Sequence, residues 1–216
     1  MNEEVRPLAL ITSASSGIGY ELARTFAEHC YDLIVVADNR SRLEEAAASL
    51  SAMDEEPRIE AIQADLSNAE GVLQVYRAVQ ALDRPIDILA ANASVGMSGD
   101  FVTETNLDAE IALINLNVTS QVHLIKLIAF EMVNRGSGDI LITSSIAGIM
   151  PTPYVAVYAA SKAFLQSFGQ AIRHELKDTG VNVTVFMPDP TDTEFFERVD
   201  LLDRSEEHTS ELQSPI

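Results

Sequence analysis

The sequence has little cysteine, tryptophan or glycine: its 216 residues include one cysteine, no tryptophan and ten glycines. One thiol, Cys30, excludes an internal disulfide and a metal cage built from several thiolates. Cys30 stands at the end of an apolar helical stretch, which predicts a small buried hydrophobic side chain rather than a reactive one. We therefore expect neither a disulfide scaffold nor a metal site.

Basic residues are also scarce, since 14 Lys and Arg stand against 33 Asp and Glu for a net charge of −19. Such a field repels phosphate backbones and anionic membranes, so we expect no nucleic-acid or membrane partner. The acidic residues are spread over predicted helix faces, which favours a solvated surface. No apolar run approaches the roughly 20 residues of a membrane span, and the first residues are acidic where a signal peptide is basic. We expect a soluble, cytoplasmic protein.

Short apolar runs alternate with longer stretches of helical periodicity along most of the chain. This alternation predicts the α/β class, with a doubly wound parallel sheet in a Rossmann-like, three-layer arrangement. A hydrophobic content of 47% at this length favours one domain, residues 1–203. The predicted strands are 8–12, 33–37, 58–64, 86–91, 139–144 and 181–187, and the predicted helices are 17–28, 42–52, 69–81, 107–134 and 157–178.

Residues 204–216 have no apolar periodicity and follow a helical segment abruptly, so we predict an unstructured tail there. The run 204–214 also resembles the conceptual translation of a common sequencing-library adapter. Our hypothesis is that the tail is an artefact and that the natural coding sequence was cut at about residue 203. Removing the tail subtracts one Arg and three Glu, which changes the net charge from −19 to −17 and leaves it acidic.

Residues 12–19, Thr-Ser-Ala-Ser-Ser-Gly-Ile-Gly, connect the first predicted strand to the first predicted helix. Small side chains let the backbone approach a pyrophosphate, while free N–H groups and the positive helix end favour its charge. Such a turn is as often an ordinary helix cap, but the flanking strand and helix favour a nucleotide. Asp38, just past the second strand, could accept hydrogen bonds from ribose hydroxyls and repel a 2′-phosphate, which favours NAD over NADP. Arg40 and Arg42 could instead meet a phosphate, and Asp38 could be an ordinary turn residue.

A second group of polar residues follows the fifth predicted strand. Ser145 stands at the end of that strand, and Tyr158 and Lys162 are four residues apart on the next predicted helix. A lone Tyr-x-x-x-Lys is often an ordinary surface pair. Its combination with the strand-end serine and the upstream small-residue turn favours a catalytic set.

These motifs, in this order, are similar to those of the short-chain dehydrogenase/reductase superfamily, and the resemblance covers nearly all of residues 7–203. It implies an NAD(P)-dependent oxidoreductase that interconverts a secondary alcohol and a ketone. Tyr158 would be the general acid/base, and the Lys162 ammonium would favour its phenolate and bind the nicotinamide ribose. Ser145 would hold the substrate oxygen. Asn117 would help hold a water chain leading from the lysine, with Asn115 as its competitor and an ordinary polar helix residue as the alternative.

The resemblance also implies which residues contact the cofactor. They are Ser13, Ser15, Ser16, Gly17, Ile18, Gly19, Asp38, Asp65, Leu66, Asn92, Ala93, Tyr158, Lys162, Pro188 and Thr193. From the residues themselves, Asp65 could equally cap the helix that begins near Asn68, and Asn92 could satisfy backbone groups between strands.

Three positions depart from the superfamily pattern, because Ser13, Ser94 and Asp189 stand where its members have glycine. A side chain at position 13 costs on the order of 1 kcal/mol if φ is positive there. The alternative function is therefore a weakened or inactive protein of this fold that acts as a binding module. The resemblance further implies a small-molecule alcohol or ketone substrate, a sheet without its last strand, and a homodimer or homotetramer formed through helices containing residues 116–131 and 157–175.

Overall fold

A single parallel sheet organises the molecule. The computed structural model describes residues 5–189, so Thr193 and the predicted tail at 204–216 lie outside the described residues. The sheet has six strands in the order β3-β2-β1-β4-β5-β6, and every neighbouring pair is parallel. The predicted doubly wound α/β fold is confirmed.

Most element bounds agree closely with the predicted ones. The strands are Leu8–Thr12 (β1), Asp32–Ala37 (β2), Ile59–Gln63 (β3), Ile88–Ala91 (β4), Gly138–Thr143 (β5) and Val181–Phe186 (β6). The helices are Gly17–Glu28 (α1), Arg40–Ser51 (α2), Ala69–Ala81 (α3), Leu107–Ile114 (α4), Ser120–Arg135 (α5) and Ala156–Glu175 (α6). Helix α2 begins earlier than predicted because the Asn39 side chain accepts a hydrogen bond from the Arg42 backbone N–H and caps the helix there.

The two faces of the sheet bury separate apolar cores. On one face, alternate residues of β1 and β2 such as Ile11 and Val35 pack against α1 and α2. On the other face, the intervening residues such as Leu10 and Val36 pack against α3, α5 and α6. This alternation gives the three layers, and it leaves the carboxyl ends of the strands facing the loops that carry the candidate site.

The long helix predicted at 107–134 is interrupted. A π-helical segment, Asn115–Thr119, separates α4 from α5, and the Ser120 N–H donates to the Asn115 carbonyl five residues earlier. Apolar periodicity continues through the segment, so the sequence pattern did not reveal it. π-Helical turns are frequent at functional sites. This one contains Asn117, which is fully buried.

One sequence prediction fails outside the candidate site. Cys30 was expected to be buried but is exposed. It follows the end of α1 with a φ of 62°, and its N–H donates to the Ala27 carbonyl at 2.9 Å. The chain reverses at this point to enter β2, so the turn carries the thiol away from the core.

The long helical stretch is more apolar than its sequence pattern indicated. The stretch Leu107–Arg135 is long and apolar enough to satisfy a composition test for a membrane span, although 39% of the apolar window is buried inside the protein. Leu124, Ile125 and Ile128 on α5 are almost fully buried against the sheet. The core helix of a globular domain therefore accounts for the composition.

Candidate active site

The turn after β1 brings the chain backbone against the start of α1. A Cβ on Gly19 would lie 2.0 Å from the Ser13 carbonyl oxygen and 2.8 Å from Asn92 Nδ2, so a side chain does not fit there. Ser16 precedes α1 without a side-chain hydrogen bond to the helix, which leaves N–H groups of the first turn available to an anion. The predicted contacts Ser15, Ser16, Gly17 and Ile18 are half-buried in this turn. This geometry fits a pyrophosphate.

The three departures from glycine differ in their backbone conformation. Ser13 has a φ of 55°, in the left-handed region, so the strain expected for a serine at this position is present. Neither Ser94 nor Asp189 is among the described non-glycine residues with a positive φ. Ser94 is half-buried and Asp189 is exposed. Backbone strain is therefore confined to one of the three substitutions.

Thr12 joins the ends of β1 and β4, the pair at which the strand order reverses. Its Oγ1 accepts hydrogen bonds from the N–H groups of Asn92 and Ala93, both at 2.9 Å. Asn92 Nδ2 donates back to the Thr12 carbonyl at 3.3 Å, and Gln121 Nε2 donates to the Ala93 carbonyl at 2.5 Å. Ligands of open α/β sheets bind at this reversal. Asn92 satisfies a backbone group here, which agrees with the more conservative interpretation of its role.

Asp38 lies exposed beyond the end of β2. Its Oδ1 accepts a hydrogen bond from the Asn39 N–H at 2.8 Å, and its carbonyl accepts one from Gln63 Nε2 at 3.0 Å. Arg40 Nε donates to Gln63 Oε1 at 3.0 Å, so the guanidinium is directed towards β3. The carboxylate keeps one oxygen, Oδ2, without a hydrogen bond to the described residues.

Asp65 organises the turn between β3 and α3. Its Oδ1 accepts a hydrogen bond from the Ser67 N–H at 2.9 Å and its Oδ2 accepts one from Asn68 Nδ2 at 3.0 Å. Hydrogen bonds from Ser67, followed by the one from Asn68, lower the pKa of the Asp65 carboxyl. The cap of α3 is Asn68, which accepts from the Gly71 N–H, so the alternative in which Asp65 caps the helix is wrong. Leu66 is buried in the core.

Ser145, Tyr158 and Lys162 come together where β5 meets α6. A side-chain hydrogen bond links Ser145 to Tyr158, and Ser145 Oγ also accepts from the Ala147 N–H at 3.2 Å. Lys162 is 2% exposed, its Nζ lies 5.6 Å from the centre of the Tyr158 ring, and it donates to the Thr143 carbonyl at 3.2 Å. The surface-pair alternative for tyrosine and lysine is therefore wrong, because both side chains are buried.

Burial governs the ionisation of this pair. It raises the pKa of Tyr158, and the hydrogen bond from Ser145 opposes the rise. Burial also lowers the pKa of Lys162 to about 7. The Lys162 ammonium was expected to lower the pKa of Tyr158, but burial raises the pKa of Tyr158 and also lowers that of Lys162. A lysine that is half protonated near neutral pH exerts less of that electrostatic effect.

Asn117 links the π-helical segment to the loop after β4 and to α6. Its Oδ1 accepts from the Val95 N–H at 2.9 Å, and its Nδ2 donates to the Val95 carbonyl at 2.9 Å and to Ser161 Oγ at 3.1 Å. Ser161 Oγ in turn donates to the Tyr158 carbonyl at 2.7 Å. Asn117 is buried and contacts α6 through Ser161, whereas Asn115 is half-buried. Sequence reasoning missed Ser161, whose partner Asn117 is 44 residues away.

The loop after β6 closes this side of the site. The Pro188 carbonyl accepts a hydrogen bond from the Ile146 N–H at 3.4 Å, so the loop is held against the turn that begins at Ser145. Pro188 is half-buried. The predicted contact Thr193 lies outside the described residues.

A Rossmann-like sheet with a small-residue turn after β1, and a half-buried serine beside a buried tyrosine and lysine after β5, defines a nicotinamide-dependent oxidoreductase. Comparison with known proteins agrees. Residues 7–201 match the sequence profile of the short chain dehydrogenase family. An uncharacterised oxidoreductase of Staphylococcus saprophyticus is 32% identical over 186 residues, which are 86% of this chain and 79% of the relative.

Solved structures show the same likeness. A short-chain dehydrogenase from Sphingobium yanoikuyae in complex with NADPH is 35% identical, with a TM-score of 0.84 over 90% of this chain and 75% of the other. The bulky-bulky ketone specific alcohol dehydrogenase from Comamonas testosteroni is 32% identical, with a TM-score of 0.81 over 94% of this chain and 82% of the other. The chain belongs to the short-chain dehydrogenase family and is an NAD(P)-dependent oxidoreductase.

Proposed function

We propose that the protein interconverts a secondary alcohol and a ketone, with Tyr158 as the general acid/base. The observation that carries the proposal is the buried arrangement in which Ser145 hydrogen-bonds to Tyr158 while Lys162 lies beside the tyrosine ring. A bound nicotinamide would accept or supply the hydride at the carbinol carbon. The named relative from Comamonas is an alcohol dehydrogenase, which supports this reaction class.

Each of the three side chains has a distinct task in the oxidation direction. Tyr158 takes the proton from the substrate hydroxyl as the hydride leaves the carbon. Ser145 Oγ accepts from the Ala147 N–H, so its own hydrogen can turn from Tyr158 to the substrate oxygen. Lys162 has a pKa of about 7, so it can hold or release a proton near neutral pH and serve as the next proton carrier after the tyrosine.

We assign Asn117 to positioning and to the proton relay. Its side-chain amide already bonds to Val95 and Ser161, and the second partner contacts the backbone at Tyr158. Any contact between Asn117 and a relay water would therefore use its main chain, which lies in the π-helical segment. The amide holds the Val95 loop, the catalytic helix and this segment in one arrangement.

The residues that would hold a dinucleotide are the turn at 12–19, Asp38 and the segment around Asn92. Their fit rests on the close approach at Gly19 and on the uncapped start of α1. The free Oδ2 of Asp38 favours ribose hydroxyls over a 2′-phosphate, and the Arg40 guanidinium is directed to Gln63. We therefore propose a preference for NAD, although the Sphingobium relative was solved with NADPH.

We further propose that two copies pair through α6 and the helical stretch from α4 to α5, which contains residues 116–131. An apolar groove of about 370 Å³ lies between these helices and is lined by residues that include Ile114, Val157 and Ala160. Exposed Ile111 and Phe164 extend the apolar surface on the same helices. Apolar patches of this kind mark association surfaces. Sedimentation of wild type and Ile114→Asp would test the pairing, since a monomeric wild-type protein would refute it.

Replacing Tyr158 with phenylalanine tests the catalytic assignment. The change removes only the hydroxyl, so we expect kcat to fall by about 10²- to 10⁴-fold while the Kd for NADH, measured by fluorescence titration, stays within about twofold. The matched control is Tyr76→Phe, which removes a hydroxyl on α3 that donates a hydrogen bond to Glu131 of α5. That variant should keep wild-type turnover. Full activity of Tyr158→Phe would refute the assignment, and no NADH binding by the wild type would favour an inactive binding module.

A further inference from the structure

Within residues 5–189, two loops border the mouth of the candidate site. The first follows β4 and covers residues 94–106, and the second covers residues 149–155 between Ser145 and α6. The Gly99 N–H donates to the Tyr154 carbonyl at 2.7 Å, which joins the two loops. Met97 from the first loop packs against the apolar cluster that contains Tyr158 and Val155. The loops therefore border the reacting groups.

Apolar side chains are exposed on both loops. Val95 is 42% exposed, Ile149 57% and Met150 67%, and Tyr154 is 41% exposed. Tyr154 also has a φ of 62°, a conformation that a bulky residue adopts only when the surrounding structure imposes it. Such strain is typical of functional sites. The second loop therefore has a conformation imposed by its surroundings and presents apolar surface beside Tyr158.

The described segments that border the site carry no cationic groups of their own before Lys162. Residues 94–122 and 140–161 contain no Lys, Arg or His. The first basic residue after the second loop is Lys162, at the floor of the site. The two acids of the first loop are turned onto their own backbone. Asp100 Oδ1 accepts from the N–H groups of Val102 and Thr103, both at 3.0 Å, and Glu104 Oε2 accepts from the Asp100 N–H at 2.9 Å.

We propose that the substrate is a neutral alcohol or ketone with an apolar chain or ring beside the reacting carbon, and that this mouth rejects carboxylates and phosphates. The inference rests on the proposed alcohol–ketone reaction. An anionic group would lose its water at the mouth, where the two described loops offer no cation to replace that water, and the protein's net charge of −19 would oppose its approach. An apolar group would instead cover the exposed surface of Val95, Ile149 and Met150.

Matched ketone pairs test this charge selection. The first pair is 2-octanone and 7-oxooctanoate, which have the same reacting end and differ in a terminal methyl group or carboxylate. The second pair is 4-phenyl-2-butanone and 4-(3-oxobutyl)benzoate, which differ in a carboxylate on the ring. With NADH and NADPH, we expect kcat/KM for the neutral member to exceed that for the anion by about 100-fold, mainly through KM. Equal or faster turnover of both anions would overturn the inference and leave the proposed function standing. No turnover of any of the four would overturn both.

Placing a cation at the mouth gives the converse test. Met150→Lys and Ile149→Lys should each be tolerated at an exposed position, and at least one should raise kcat/KM for the anions by about tenfold, an effect that added salt weakens. The control is Val5→Lys, since Val5 is 81% exposed ahead of β1 at the opposite end of the sheet. If neither mouth variant differs from the Val5→Lys protein in its preference for the anions, the inference is overturned.

Discussion

Replacing Ser13 with glycine should stabilise the protein. Ser13 has a φ of 55°, and an L-residue in the left-handed region costs about 1–2 kcal/mol, which glycine does not incur. Glycine also makes the unfolded chain more flexible, which opposes the gain by roughly 0.5–1 kcal/mol. The net expectation is an increase of about 0.5–1 kcal/mol in the free energy of unfolding. For a domain of this size that corresponds to a rise in Tm of about 1–4 °C.

The matched control is Ser94→Gly, because the sequence departs from glycine there as well but the backbone φ is not positive. That variant has no strain to release, so the same glycine flexibility should lower its Tm by about 1–4 °C. Thermal unfolding followed by circular dichroism measures both variants. A Tm for Ser13→Gly at or below that of Ser94→Gly would refute the reasoning. The strain at Ser13 belongs to the protein itself and does not depend on a bound cofactor. Its release should therefore mainly raise the free energy of unfolding, and the Kd for NADH should fall by less than about tenfold.

Three further predictions concern the site. The pKa of Lys162 is 10.5 in the unfolded chain and about 7 in the folded protein, so the chain takes up a proton when it unfolds between these pH values. The free energy of unfolding should therefore rise with pH in this range, by up to about 1.4 kcal/mol per pH unit. Urea titrations from pH 7.5 to 9.5 should show this slope for the wild type and not for Lys162→Met. Asn117→Ala leaves both Val95 backbone groups unpaired and should cost about 2–4 kcal/mol in the same urea assay, a loss that a merely exposed side chain would not give. Asp38→Ser should improve kcat/KM with NADPH relative to NADH by about tenfold, and an unchanged ratio would contradict the assigned role of the carboxylate.

Local signals were sufficient to predict the sheet and most of its helices. The strands of a parallel sheet covered on both faces are continuous apolar runs, and β1 and β2 are buried at every position. The π-helical break at Asn115–Thr119 was not predicted, because one extra residue per turn over a single turn leaves the apolar pattern on both sides intact. The exposure of Cys30 was missed for a related reason, since a left-handed residue at a helix end changes the direction of the chain without any change in composition.

In the candidate site, too, some residues were detectable from the local sequence and others were not. Tyr158 and Lys162 are four residues apart on one helix, and the pair is detectable because helix geometry alone aligns such residues. Thr12, Gln121 and Ser161 contact partners that are 80, 28 and 44 residues distant, and only the packed sheet brings them together. Their residue types are common, so nothing in the local sequence distinguishes them. The fold and the family could be predicted from the sequence, whereas the hydrogen bonds that fix the geometry of the candidate site could not.

The pKa values of Tyr158 and Lys162 depend both on their spacing in the sequence and on their burial in the fold. The sequence implied an ammonium that would lower the pKa of Tyr158, but the packing that holds the lysine beside the ring also removes it from water and lowers its own pKa to about 7. Burial of Lys162 thus weakens its electrostatic effect on Tyr158, because a lysine that loses its charge no longer stabilises a phenolate. Nearby groups that restore the charge of Lys162 would therefore also lower the pKa of Tyr158. We expect the two residues to titrate as a coupled pair, so the pH–rate profile of the wild-type enzyme should report pKa values of the pair rather than of either residue alone.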